Sequence, residues 1–112
     1  MSTLNKLPAG TTLPVKIRTI TLFEDYEGWA FIARTNPPSS FFDEFARDDL
    51  SIGERADLLA IAIREWNFVD ENGEELGDPT PEKLRSLPPD LLLMVMRTYD
   101  EAVGEETSIP KD

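Results

Sequence analysis

The side chains of this 112-residue chain that could do chemistry are mainly carboxylates. The chain has no histidine and no cysteine, so the common nucleophile-base pairs and thiolate metal sites cannot be built from it. Asp70, Asn72 and Glu74 imitate the alternate ligands of a calcium-binding loop. That pattern fails at its sixth and twelfth positions, where Glu75 and Pro81 replace the glycine and glutamate that the loop needs. We therefore predict no catalytic residues, no cofactor and no metal site.

Charge is the strongest signal in the composition, since 22 Asp and Glu against 11 Lys and Arg give a net charge of -11. Residues 1–38 carry four basic and three acidic side chains (+1), which leaves seven basic and nineteen acidic ones (-12) for residues 39–112. Such a surface repels phosphates and anionic lipid, so we expect no binding to nucleic acid or to a membrane. Basic or apolar protein partners remain open.

The first third of the chain predicts a flexible arm followed by a β-hairpin. Residues 1–13 have no hydrophobic periodicity. Residues 14–35 contain two alternating apolar segments around a turn-forming stretch, which is typical of a hairpin. Because the apolar parity changes midway along the first strand, we expect either a bulge near Arg18 or Thr19 or a strand whose ends face different neighbours.

Helical signals follow the hairpin and predict an α+β fold with three to four packed helices. Ser51 and Glu54 form a capping-box pattern, and Thr80 is a good N-cap before Pro81. Ser40 with Asp43 is a plausible cap for the first helix. The predicted helices span about residues 41–48, 51–66, 81–87 and 89–103. Residues 14–104 then form one globular domain, with a stop at Gly104 and a flexible tail over residues 105–112.

Aromatic side chains are the candidates for binding a partner. Three phenylalanines occur in the five residues from Phe41 to Phe45, and exposing all three side chains to water is unfavourable. These side chains therefore either cover the hairpin or form a docking surface. We predict that Trp29, Phe31, Phe41 and Phe42 contribute to a docking surface for an apolar helical partner or for other copies of this chain.

The connector after the second predicted helix joins an aromatic run to a turn. Asp70 to Gly73 supply residues that reverse the chain, with Asn72 and Gly73 able to take positive φ. We expect Trp66 to end the helix and to be mostly buried between that helix and the last one, with Phe68 sealing the helix end.

Residues 63–99 contain a tryptophan, an Asp-x-x-Gly turn and a Leu-x-x-Leu-Pro segment in succession, at Trp66, Asp70, Gly73, Leu84, Leu87 and Pro88. In this pattern the segment resembles the tail assembly chaperones of long-tailed, siphovirus-like bacteriophages. In those small acidic proteins a helix ends in Trp, the Asp-x-x-Gly turn follows, and the Leu-x-x-Leu-Pro segment opens the last helix. The resemblance implies a non-enzymatic chaperone in the host cytoplasm that binds and solubilises the tape measure protein and helps to recruit tail tube protein.

Two other functions also fit the composition. The chain could be a structural component of a phage tail or head-tail connector, with the hairpin adding a strand to a neighbour. It could also be an acidic mimic of nucleic acid that inhibits a DNA-binding enzyme. Finding the protein in purified virions would favour the structural component, and a regular row of carboxylates would favour the mimic.

Overall fold

A three-stranded antiparallel sheet and four helices make up the α+β fold of the computed structural model, which describes residues 4–107. The strands are β1 (Ile17–Thr21), β2 (Ala30–Arg34) and β3 (Ile63–Trp66), in the spatial order β1-β2-β3. The helices are α1 (Ser39–Phe45), α2 (Ile52–Ala62), α3 (Pro81–Arg85) and α4 (Pro89–Thr107). The predicted fold class, an N-terminal hairpin followed by packed helices, is confirmed.

The β1-β2 hairpin pairs without interruption, from Ile17 opposite Arg34 to Thr21 opposite Ala30. The bulge considered near Arg18 or Thr19 is therefore absent. Ile20 is buried, whereas Ile17 is exposed on the other face of the strand. Arg18 is on the same face of the strand as Ile20, at a position where an apolar residue is usual. Its guanidinium donates a 3.1 Å hydrogen bond to the Ala102 carbonyl there.

Strand β3 was missed in the sequence, where a helix was predicted to continue to residue 66. The helix ends at Ala62, and the next residue, Ile63, is already extended. Ile63 pairs with Ala33 and Trp66 pairs with Phe31, with a register shift between the two pairs. This bulge places residues three apart on the same face of the sheet, a spacing that also fits a helix.

The ends of α1 and α3 also differ from the prediction. Helix α1 begins two residues earlier and ends three earlier, and its N-cap is Pro38 without a side-chain hydrogen bond. The proposed cap by Ser40 and Asp43 was wrong, since Ser40 lies inside the helix. Helix α3 starts as predicted after the Thr80 cap but ends at Arg85. The predicted capping box of Ser51 and Glu54 is present at the start of α2.

Helix α4 passes through Gly104, which was predicted to stop it, and three residues of the predicted tail are helical. Two ion pairs connect this last turn to the start of the sheet, since Lys16, just before β1, lies 3.4 Å from Glu106 and Arg18 in β1 lies 3.2 Å from Glu105. The predictions for residues 1–3 and 108–112 lie outside the described part of the chain.

The core lies between the inner face of the sheet and helices α2, α3 and α4. Its largest fully buried side chains include Tyr99, Phe31, Phe68, Leu59, Leu84, Leu91 and Val95. By contrast, residues 4–13 of the predicted arm are all exposed, and so are residues 14–17 that follow it. None of the helices within residues 4–107 is both long enough and apolar enough to cross a membrane.

A candidate partner-binding surface

A groove of about 500 Å³ opens between the β1-β2 loop, the connector after β3 and the junction of α3 and α4. Each of the three segments contributes apolar side chains to it. These are Tyr26, Trp29, Val69, Leu76, Leu87 and Leu91. The fold therefore gathers residues from three separate parts of the sequence into one apolar depression.

Trp29 is held in the groove wall by a series of aromatic contacts. Its ring meets Tyr26 edge-on at 5.2 Å and lies 5.3 Å from Phe68, which in turn stacks on Trp66 at 4.6 Å. The Trp66 indole N-H donates a hydrogen bond to the Gly77 carbonyl. Trp66 thus packs on its own connector and is half-buried, so the predicted position between two helices was wrong.

The connector from Phe68 to Leu76 folds back on itself as predicted. The backbone N-H of Asp70 donates to the Glu74 carbonyl at 2.8 Å, and Val69 pairs with Glu75 in an antiparallel bridge. One carboxylate oxygen of Asp70 accepts from the backbone N-H groups of both Asn72 and Glu74. Gly73 takes the positive φ of the turn (82°), whereas Asn72 does not.

The third wall is the junction at which α4 begins. Leu87 is buried there, and the carbonyl of exposed Pro88 accepts the first helical hydrogen bond, from the Leu92 N-H at 2.9 Å. Prolines suit the first helical turn, because a backbone N-H group at that position would have no partner within the helix and its loss costs nothing. Asp70, Leu87 and Pro88, three of the residues that match the chaperone pattern, therefore line the same groove.

A second depression, of about 340 Å³, adjoins the groove across Tyr26. Its apolar lining includes Phe23, Leu93 and Met94, and Leu93 is 54% exposed. The Tyr26 hydroxyl donates to the Asp90 carboxylate at 3.0 Å. Burial, followed by this hydrogen bond, raises the pKa of Tyr26, so the phenol keeps its proton and remains a donor. We call the groove and this depression together the Tyr26 surface.

Carboxylates surround the apolar lining of the Tyr26 surface. They are Glu24, Asp25, Asp70, Glu71 and Asp90, and the same lining contains one cation, Arg97. Five acidic groups against one basic group give a local formal charge of -4. An apolar depression with an acidic rim favours a partner segment that is apolar in the middle and carries Lys or Arg at its flanks.

Comparisons with protein-family models, curated proteins and solved structures found no match. Among residues 4–107 there is also no group of three or more acidic side chains placed to hold a metal ion. The interpretation of the Tyr26 surface therefore depends on its shape, its lining and its charge.

The four predicted docking residues do not lie together. Trp29 lines the Tyr26 surface, but Phe31 is 1% exposed and belongs to the core, so its assignment to a docking surface was wrong. Phe41 and Phe42 are half-buried and pack against the core. The Phe41 ring meets the Tyr99 ring edge-on at 6.4 Å. Tyr99 lies eight residues after Leu91 of the groove, which is about 12 Å along α4, so Phe41 is outside the groove.

Sequence reasoning missed Tyr26 and Leu93 as members of the site. Tyr26 lies in the turn-forming stretch of the predicted hairpin, and turn residues give no indication of the side chains they contact. Leu93 did leave a signal in the sequence, because it belongs to the apolar run from Leu91 to Met96. Six consecutive apolar residues spread over the full circumference of a helix, so one face cannot bury all of them.

Proposed function

We propose that this protein is a non-enzymatic assembly chaperone that binds an apolar segment of a structural protein on the Tyr26 surface. The observation that supports this proposal is the combination of a two-part apolar depression with a rim of five carboxylates. The resemblance to tail assembly chaperones suggests the partner, a phage tape measure protein, and recruitment of tail tube protein in the host cytoplasm. The carboxylate rim favours a segment of that partner with basic flanks.

The physical basis of such a chaperone has two parts. Apolar contact supplies the binding free energy, and Met94 adds an unbranched, adaptable side chain to the surface. The net charge of -11 then keeps a complex with an aggregation-prone partner soluble. The carboxylate rim contributes selectivity, because it attracts cationic flanks and repels acidic segments.

A co-expression experiment tests the proposal. The chain is co-expressed with the products of genes adjacent to its own, and the soluble fraction and pull-down yield of each product are measured at low and physiological salt. We expect one apolar structural product to become soluble only with the chain. If wild-type protein binds or solubilises none of these products, the chaperone proposal is wrong.

Surface variants connect that result to the site. Phe23→Ser with Leu93→Ser removes two exposed apolar side chains from the Tyr26 surface. We expect partner yield to fall about tenfold while the free energy of unfolding changes by less than about 1 kcal/mol. The matched control is Ile52→Ser with Ile61→Ser, two exposed side chains on α2 that line neither depression. Equal losses in both variants would place the binding site elsewhere.

The presence or absence of this chain in purified virions distinguishes a chaperone from a structural component. A chaperone leaves before assembly is complete, so we expect the chain in infected-cell lysate and not in purified virions. Recovery in virions at a fixed ratio to tail proteins would instead support a structural component of the tail or connector.

A further inference from the structure

The N-terminal arm, residues 4–16, carries apolar side chains that the described part of its own chain does not cover. Leu7 and Leu13 are each 76% exposed, and Val15 is exposed as well. Apart from a turn in which Thr11 donates to the Pro8 carbonyl, this segment has no regular structure. Exposed leucines on an extended segment are a common means of docking in an apolar depression.

The base of the arm is fixed in direction. The Lys16 backbone N-H donates to the Asn36 side-chain oxygen at 2.8 Å, and the Asn36 amide donates to the Pro14 carbonyl at 2.9 Å. The base of the arm comes just before β1, and the loop with Tyr26 comes just after it. The length of this five-residue strand therefore separates the base of the arm from the Tyr26 loop by about 17 Å.

The shape of the molecule agrees with an arm that points away from the body. The long axis measures 60 Å, against 32 and 30 Å for the others. The radius of gyration is 16.7 Å, whereas a compact chain of this length has about 13 Å. Because Leu7 and Leu13 are exposed, the arm does not occupy the Tyr26 surface of its own chain, and a second molecule can offer it that surface.

Charge favours the same contact. Residues 4–16 contain Lys6 and Lys16 and no acidic residue. Lys16 lies 3.4 Å from Glu106 of its own chain, so Lys6 is the charge that the arm can bring to a second molecule. The Tyr26 surface carries five carboxylates and one arginine, a charge of -4. Opposite charges on two separate surfaces of one chain favour contact between copies.

We propose that the arm of one copy docks on the Tyr26 surface of a second copy, so that the protein assembles head to tail. Leu7 and Leu13 enter the apolar lining, and Lys6 lies near the rim. Pro8 and Pro14 restrict the arm before it binds, which lowers the entropy lost on docking. This proposal rests on the proposed function, because it uses the same Tyr26 surface. A partner segment and the arm of another copy would then compete for that surface.

Concentration-dependent mass tests the assembly. Sedimentation velocity on the full chain at about 5 to 200 μM is expected to show a mass that rises with concentration. A contact made by one short segment in a depression buries little surface and is therefore weak. The arm variant Leu7→Ser with Leu13→Ser and the surface variant Phe23→Ser with Leu93→Ser are each expected to stay monomeric. The Ile52→Ser with Ile61→Ser control is expected to assemble as wild type. Monomeric wild type at the highest concentration, or normal assembly of the arm variant, would overturn the proposal.

Mixing the two monomeric variants identifies the contact. The arm variant keeps an intact surface and the surface variant keeps an intact arm, so an equimolar mixture is expected to form one heterodimer that cannot grow. A synthetic peptide of residues 1–16 is expected to displace that contact, and the same peptide with both leucines replaced by serine is not. A mixture that remains monomeric excludes arm-to-surface docking.

The two proposals fail separately. If the surface variant assembles normally but loses its co-expressed partner, the arm inference is wrong and the chaperone proposal stands. If it loses assembly but solubilises the partner as wild type does, the arm inference stands and the partner site is elsewhere.

Discussion

The hydroxyl of Tyr99, midway along α4, donates a 2.8 Å hydrogen bond to the backbone carbonyl of Arg34, the last residue of β2. Tyr99 is 1% exposed, so this bond lies where water contributes little. It ties the longest helix to the central strand of the sheet. The rings of Phe41 and Phe45 both meet Tyr99 edge-on, which places α1 against the same point.

Tyr99→Phe is expected to lower the free energy of unfolding by about 1 to 3 kcal/mol, since the Arg34 carbonyl loses a buried donor. Burial raises the pKa of Tyr99 from 10.0 to about 12. A phenol whose pKa is higher in the folded state stabilises the fold fully below pH 10, and this contribution is lost as the pH rises from about 10 to 12. Urea unfolding should therefore show a steeper alkaline loss of stability for wild type than for Tyr99→Phe. Parallel curves would contradict this account.

The sequence predicted those features of the fold that depend on local chemistry. The Ser51 and Glu54 capping box and the turn at Gly73 both formed where their residue types indicated. Strand β3 could not be predicted in this way, because its three-residue spacing also fits a helix and its extended conformation depends on pairing with β2. Likewise, α4 passes Gly104, and its last turn forms ion pairs with Lys16 and Arg18, about ninety residues away in the chain, which the local sequence could not indicate.

The candidate site was predictable only in part, for a related reason. Aromatic composition selected Trp29, which is partly buried and lines the Tyr26 surface, but the same argument selected Phe31, two residues away on the core side of β2. Both are large aromatic residues, and only the pairing of β2 with β1 and β3 decides which of them is covered.

Phe31→Ala is expected to cost about 3 to 5 kcal/mol, as for other large side chains removed from a core. Phe42→Ala is expected to cost less than half as much, because Phe42 is half-buried at the edge of the core. Urea midpoints of the two variants provide the comparison. Equal costs would mean that the Phe42 ring is as fully packed as the Phe31 ring.

Gly73→Ala is expected to destabilise the connector by about 1 to 2 kcal/mol, because alanine at a φ of 82° is strained even where space is open. The matched control is Gly104→Ala, also in open space but within α4, where alanine is expected to stabilise by about 0.5 to 1 kcal/mol. Thermal unfolding of both variants should show shifts of opposite sign. A stabilising Gly73→Ala would contradict the tight turn that shapes the groove.

Reversing the rim charges is expected to weaken binding of a basic-flanked partner. Asp25→Lys with Glu71→Lys changes the formal net charge from -11 to -7 at exposed positions of the Tyr26 surface. Asp43→Lys with Asp48→Lys makes the same change at exposed positions outside it.

The two variants separate the effect of the rim from the effect of overall charge. At about 0.1 M salt, charges act over about 10 Å, so only carboxylates beside the bound segment should matter. In pull-downs across a salt series, the rim variant should bind about five- to tenfold less partner at low salt and lose most of the salt dependence, while the control behaves as wild type. Equal losses in both variants would assign the attraction to net charge and remove the rim from the binding site.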